Sequence, residues 1–369
     1  MHRCNSCLLP STYPMIQFDN NRICNNCRNY ISEKYQRSEE FDELINVARD
    51  NSRNKKYDCL IGLSGGRDSS YLAYKAVREF GLHPLAYSYD NGHMPESAKE
   101  NIKNIIAILG IDTIIIENET RKNQELFKKI FLAWAKKPSL GMIQAFCIGC
   151  RGGINKNATR ILEKHDIKYL IDGAHYLEKT SYKLGFLGIE KDDFSTFEPN
   201  RADYFFTKCL LAFCVIKEIA KNPRYASYPI VKNGIKDFLD GFGKHKEATK
   251  IQPFMFEKYD EKKVLNTISK ELAWKTPPYF PVPWRSDCTI AMLKNYCYLE
   301  MVGFSDYDCA LSNMIRENSI DRETALSKIN EFNGIINDDL ADYILKSKGI
   351  DPNILHKAIN SWRASRALE

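Results

Sequence analysis

Two hydrophobic rhythms alternate through the first half of the chain. Short apolar runs bounded by turn residues occur at "CLIGL" (Cys59–Leu63), within "LHPLAYSYDNG" (Leu82–Gly92), at "IDTIIIEN" (Ile111–Asn118) and at "KYLIDGAH" (Lys168–His175). Such runs are the signature of strands covered on both faces. Between them the apolar positions follow helical spacing. "SSYLAYKAVREFG" carries Leu72, Ala73, Ala76, Val77 and Phe80 and ends at Gly81. "PESAKENIKNIIAILG" (Pro95–Gly110) and "RGGINKNATRILEKHDI" (Arg151–Ile167) repeat the pattern. Strand and helix in alternation predict a doubly wound parallel sheet whose ligands bind at the carboxyl ends of the strands.

From about Lys179 the alternation fades. "RADYFFTKCLLAFCVIKEIAKNP" (Arg201–Pro223) predicts a long helix stopped by proline, with "CLLAFCVI" (Cys209–Ile216) as a buried face. "EKKVLNTISKELAW" (Glu261–Trp274) is amphipathic. "WKTPPYFPVPW" (Trp274–Trp284) holds four prolines and four aromatics and cannot be helical. It reads as a packed connector, with stacking on a sugar or base face as the other option. The tail is helical, with Asp351 as an N-cap and Pro352 in the first turn. The expected organisation is a metal knuckle over 1–30, a helical linker over 31–56, a nucleotide-binding sheet over 57–183 and a mostly helical region over 184–369.

Composition narrows the class. The 369 residues exceed one small domain, and 44% hydrophobic with 27% charged residues is ordinary for a globular chain. A net charge of +6 suits anionic substrates such as nucleotides. The basic residues are scattered, so nucleic acid is not an expected partner. No apolar run approaches the roughly 20 residues of a membrane span. "MHRCNSCLLP" has no apolar core of a secretory signal, so no membrane association and a cytoplasmic location are expected. Twelve cysteines in a reducing compartment point to metal binding or chemistry.

Cys4, Cys7, Cys24 and Cys27 form C-x2-C-x16-C-x2-C, the spacing of a Cys4 zinc site. A closed set of this kind leaves no open coordination position and is structural. At "LSGGRDSS", an apolar strand runs into a glycine-rich turn and then a helix. Ser64, Gly65 and Gly66 let backbone N–H groups approach phosphate oxygens at a helix N-terminus. Asp68 is a candidate Mg²⁺ ligand near a pyrophosphate, and Ser69 and Ser70 are hydroxyl donors. Asp90 and Gly173 stand at other strand ends; Asp90 contacts the nucleotide or caps its own turn. No G-x-x-x-x-G-K-[ST] motif is present.

SGGRDS resembles the SGGxDS signature of the PP-loop ATP pyrophosphatases, which implies cleavage of ATP to AMP and pyrophosphate. The front half more closely resembles the N-acetyl sugar amidotransferases of bacterial surface-polysaccharide biosynthesis. "RCNSCLLPSTYPMIQFDNNRICNNCR", "YDCLIGLSGGRDSS" and "FCIGCRGGI" follow that family's order, and "MIRENSIDRETAL" resembles its closing helix. The match is good over about 1–180 and loose over 287–330. It implies an α/β fold of the PP-loop, adenine nucleotide alpha hydrolase-like type, with an N-terminal zinc knuckle and a mostly helical C-terminal region. It implies ATP and Mg²⁺ as well as Zn²⁺, an N-acetylated sugar such as a nonulosonic-acid precursor, and separate glutaminase and cyclase-like subunits supplying ammonia. The acetamido oxygen would be adenylated and replaced by ammonia, giving an acetamidino sugar for a surface polysaccharide or flagellin glycan. Arg67 and Arg151 are candidates for stabilising the developing charge, with solvent-facing charge as the alternative.

A rival resemblance is to PP-loop sulfurtransferases that thiolate tRNA, some of which combine a zinc knuckle, the PP-loop and three cluster-binding cysteines. Cys147 and Cys150 of "AFCIGCRGG", with Cys288 of "RSDC", would be that iron–sulfur set. The other reading of these thiols is a pocket lining beside the activated substrate.

Overall fold

The computed structural model describes residues 2–32, 39–51, 53–190, 201–227, 230–232, 235 and 248–366; the side chains of Arg151 and of 201–204 lie outside that description. At its centre is a five-stranded sheet, β1 (Cys59–Gly62), β2 (Pro84–Tyr89), β3 (Thr113–Ile116), β4 (Tyr169–Ile171) and β5 (Thr249–Ile251). The order is β3-β2-β1-β4-β5 with every pairing parallel. All six residues of β2 are buried, as an apolar run between two helical layers requires. Side chains alternate across the sheet: Leu60 packs with Leu85, Tyr87, Ala158 and Ile161 on one face, while Cys59 and Ile61 join the main core on the other.

The expected crossover helices are present. Arg67–Tyr74 follows β1 and continues as one π-helical stretch, Lys75–Glu79. Glu96–Leu109 follows β2 and ends on Gly110 at φ +67°, and Cys150–Lys164 precedes β4. From β1 the chain proceeds outward to β2 and β3, then returns to the other side of β1 with β4. The order therefore reverses between β1 and β4, the crevice where doubly wound sheets bind ligands.

The fifth strand comes from the region expected to be mostly helical. Three residues with Thr and Lys exposed carry too little periodicity to be read as a strand. Most of the other described residues of that region are helical, with Glu261–Leu272, Thr289–Val302, Asp306–Arg316, Arg322–Ile335, Asp338–Ser347 and Asn353–Arg366 in sequence. Arg201–Lys221 forms the long helix, but "CLLAFCVI" is not a buried face, because Phe213 and Ile216 are 54% and 62% exposed and Cys209 is exposed too. The proline-rich stretch is irregular and packed, with Trp274, Phe280, Val282 and Trp284 buried. Among the described residues, no helix is long and apolar enough to cross a membrane.

The N-terminal knuckle docks on the C-terminal helices. Arg3 Nη1 reaches Asp308 Oδ1 at 2.5 Å, and the Leu8 N–H donates to Ser312 Oγ at 3.1 Å. Arg322 donates to the carbonyls of Cys4 and Cys7, each at 3.1 Å.

Candidate functional site

The phosphate loop leaves β1 as Ser64-Gly65-Gly66 and enters the helix at Arg67. Gly65 holds φ +73°, and a Cβ there would lie 2.1 Å from the Ala98 carbonyl oxygen. Glycine is required both by the left-handed backbone and by the close approach of the Glu96–Leu109 helix. A Cβ on Gly66 would meet the Asp287 carboxylate at 2.9 Å. Ser64 Oγ and Ser69 Oγ are 3.0 Å apart, and the Gly66 N–H donates to Ser64 Oγ at 3.3 Å. Ser70 Oγ is turned away, donating to the Gly66 carbonyl at 2.6 Å from a buried position. Ser69 Oγ reaches the same carbonyl at 3.2 Å, but Ser64 and Ser69 are half-buried and form the hydroxyl face of the loop, whereas buried Ser70 braces its backbone.

Arg67 points inward. Its Nε and Nη2 hold the two Asp68 carboxylate oxygens at 2.9 and 3.1 Å, and Nη1 reaches Glu261 Oε1 at 2.6 Å. The guanidinium lies 5.2 and 5.5 Å from the ring centroids of Tyr259 and Trp284. Burial alone would raise the Asp68 carboxyl, but Arg67 outweighs it, and the group is lowered to about 2. Tyr259 OH donates to Asp68 Oδ1 as well. Arg67 thus sets the charge and orientation of Asp68. The Arg151 side chain, the other basic candidate, lies outside the described residues.

A strap from the second half of the chain holds the loop, and sequence reading does not find it. Trp274 Nε1 donates to the Gly65 carbonyl at 2.9 Å. Asn101 Nδ2 donates to that same carbonyl at 3.1 Å and to the Lys275 carbonyl at 2.9 Å. The prolines after Trp274 are the one local signal of a rigid segment here.

Asp90, at the end of β2, accepts from the Gly92 N–H at 2.8 Å and pairs with Lys99 at 2.7 Å. It caps its turn. Gly173 follows β4, where a Cβ would stand 3.1 Å from Leu72 Cδ1. Beyond it, His175 is 2% exposed, and burial is the chief cause of its lowered pKa. Glu178 pairs with Arg285 at 3.1 Å.

Two of the three separated thiols lie beside one side chain, but the three sulfurs do not form a set with every pair within 4.8 Å, as the knuckle sulfurs do. Asn91 Nδ2 lies 3.3 Å from Cys150 Sγ and 3.9 Å from Cys288 Sγ. Burial pushes the Cys288 thiol up to about 11, and the neighbouring Cys147 and Asp287 add to the shift. Cys147 ends a 3-10 turn and Cys150 opens the next helix, so both flank Gly149 at φ +89°. The glycines that follow have a packing role in part: a Cβ on Gly153 would collide with Tyr89 OH at 2.2 Å.

In the knuckle, the Cys4, Cys7, Cys24 and Cys27 sulfurs lie within 4.8 Å of one another. Cys4–Cys27 and Cys7–Cys24 separations are 4.0 and 3.8 Å. A tetrahedron with metal–sulfur bonds of about 2.3 Å has an edge of roughly 3.8 Å, so the set fits a tetrahedral metal ion. N–H groups of Ser6, Cys7 and Cys24 donate to Cys4 Sγ, and Arg316 lies 3.7 Å from Cys27 Sγ. These contacts favour thiolates, the form that ligates metal.

No family model matches the chain. It is 28% identical over 178 residues to an uncharacterised protein of Methanocaldococcus jannaschii, covering 46% of this chain and 58% of that protein. It is 26% identical over 189 residues to the glutamine-hydrolysing GMP synthase of Thermosipho africanus, covering 46% of this chain and 34% of the synthase. The chain thus spans about half of the one relative's length and a third of the other's. Among solved structures, NMN synthetase from Francisella tularensis aligns at 17% identity with a TM-score of 0.28, over 63% of this chain and 92% of the other. The SGGRDS loop, the parallel sheet and the synthase likeness agree at one level. That level is a likeness to PP-loop enzymes.

Proposed function

We propose that the protein is an ATP-dependent PP-loop enzyme that activates an amide oxygen by adenylation, and that its substrate is an N-acetylated sugar. The observation that carries the reading is the position of the SGGRDS loop at the sheet's switch point, with Asp68 held ionised at its helical end. Backbone N–H groups at the start of the Arg67–Tyr74 helix, with Ser64 and Ser69, bind phosphate oxygens. Asp68 is the residue that would hold a divalent cation, which when bound would neutralise charge on the departing pyrophosphate.

The acetamido oxygen attacks the α-phosphorus, pyrophosphate leaves and the amide N–H proton is released. Ammonia then adds to the imidate carbon, AMP departs with the original oxygen, and an acetamidine remains. The buried walls supplied by the 274–284 strap exclude the water that would hydrolyse the intermediate. Ammonia comes from glutaminase and cyclase-like partners. The GMP synthase relative is itself glutamine-hydrolysing, which is in keeping with an amination. Zn²⁺ in the Cys4 knuckle fastens the N-terminus to the C-terminal helices.

The approach of Cys150 and Cys288 to Asn91, with Cys147 near enough to act on Cys288, favours a second reading, in which an iron–sulfur cluster on these thiols serves sulfur transfer to tRNA. One experiment separates the two. Anaerobically purified protein is incubated with ATP, ammonium and candidate N-acetyl sugars. The amidotransferase produces AMP and a product lighter by the exchange of O for NH. Sulfur incorporation into tRNA with no AMP from any sugar establishes the second reading instead.

A further inference from the structure

Beyond the loop, β4 runs through Asp172–Gly173 into a 3-10 turn, Tyr176–Glu178. His175 and Glu178 are three residues apart, and in a 3-10 turn residues at that spacing share a face. Because β4 lies beside β1, that face meets the start of the Arg67–Tyr74 helix. One ligand atom each of Asp68, His175 and Glu178 lies within 4.8 Å of the others.

The imidazole is the independent observation. His175 is 2% exposed, and neither ring nitrogen has a hydrogen-bond partner. A buried polar atom left unpaired costs free energy and calls for an ion or water beside it. The ring is fixed in place. It stacks on Tyr259 at 4.9 Å and 16°, and Phe254 meets it edge-on at 5.8 Å and 87°.

We propose that Asp68, His175 and Glu178 form a binding site for one first-row transition-metal dication. An imidazole with two carboxylates is a mixed nitrogen and oxygen set, suited to Mn²⁺, Fe²⁺, Co²⁺ or Zn²⁺. Mg²⁺ prefers oxygen donors and water. The carboxylates keep capacity for the ion. Each oxygen has two lone pairs, so Arg67 and Tyr259 on Asp68, and Arg285 on Glu178, leave acceptor sites open. Glu261 compensates the nearby Arg67 charge from its far side. Tyr259 supports two ligands at once, bonding Asp68 and stacking on His175. The site requires only these side chains and holds whether or not the sugar reading does.

The test is Mn²⁺ binding to the full-length protein, followed by EPR after treatment with a mild chelator. Mn²⁺ favours oxygen and nitrogen over thiolates, which keeps the cysteine clusters out of the signal. The expected result is one tightly bound Mn²⁺ per chain, with pulsed EPR showing modulation from an imidazole nitrogen. Mg²⁺ should compete only at large excess. His175→Ala should remove the nitrogen modulation and weaken binding by roughly tenfold or more, and Glu178→Gln should weaken binding while retaining the modulation. Absence of bound Mn²⁺, or bound Mn²⁺ without nitrogen modulation in the unmodified protein, overturns the proposal. So does equal competition by Mg²⁺. The wild-type spectrum decides the matter even where a variant fails to fold.

Discussion

Arg67 Nη1 and Glu261 Oε1 meet at 2.6 Å although 194 residues separate them in the chain. Both residues are buried, and Glu261 also receives Lys328 at 2.6 Å. The pair ties the phosphate loop to the helix Glu261–Leu272. Breaking a buried pair typically costs about 3–5 kcal/mol, and because Asp68 still faces Arg67 the lower end applies. Glu261→Gln should therefore lower the unfolding free energy read from urea denaturation by about 3 kcal/mol. It should also raise the KM for ATP, because Arg67 loses the anchor that orients Asp68. A variant of unchanged stability and unchanged KM removes the strap from the account.

Gly65→Ala tests the loop's backbone. The substitution asks for a Cβ 2.1 Å from a carbonyl oxygen at φ +73°. Both the strain and the collision fall on the backbone that is to face phosphate. We expect loss of ATP binding by calorimetry and a fall in stability of about 2 kcal/mol or more. Gly188→Ala is the control: it shares the positive φ at +80° but has open space around it, so its cost is conformational alone and ATP binding persists.

Asp68 gives a pH dependence with a definite sign. Its carboxyl is lowered from 3.8 to about 2 in the folded protein, principally because Arg67 outweighs the effect of burial. A lowered carboxyl contributes stability above the unfolded value and loses it as pH falls through the folded value. The contribution, on the order of 2 kcal/mol, is complete above about pH 4 and disappears toward pH 2. Asp68→Asn should lie below wild type at neutral pH, and the two curves should converge as acid is added. Denaturation midpoints across pH 2 to 7 read this directly, and parallel curves would refute it.

Much of the sheet is legible in the chain because four of its strands are apolar runs closed by glycine or asparagine turns. The loop was legible because glycine and serine at a strand-to-helix junction have few other uses. The strap was not. Trp274, Tyr259 and Glu261 act on residues about two hundred positions earlier, and no local pattern encodes such a contact. The fifth strand was hidden because two of its three residues, Thr249 and Lys250, are polar and exposed. "CLLAFCVI" shows the converse error, where apolar content was taken for burial and the helix presents Phe213 and Ile216 outward. Of the thiols, spacing identified the knuckle set, while the approach of Cys288 to Asn91 beside Cys150 depended on the fold.

Metal removal tests the knuckle. The four sulfurs fit a tetrahedral ion, and Arg322 clamps the carbonyls of Cys4 and Cys7. Elemental analysis should find one Zn²⁺ per chain, lost in Cys24→Ser. A knuckle this small depends on its metal for folding. Chelation should therefore expose residues 2–30 to hydrogen exchange and loosen Asp306–Arg316, against which they pack. Full protection after metal loss would contradict this arrangement.

The central claim is that ATP adenylates an acetamido oxygen at the SGGRDS loop. The most direct measurement uses an N-acetyl sugar carrying ¹⁸O in its acetamido group, with unlabelled ATP and ammonium. The label should appear in AMP, pyrophosphate should form in equal amount, and Asp68→Asn should abolish both. Unlabelled AMP, or ADP and phosphate in place of AMP and pyrophosphate, would contradict it.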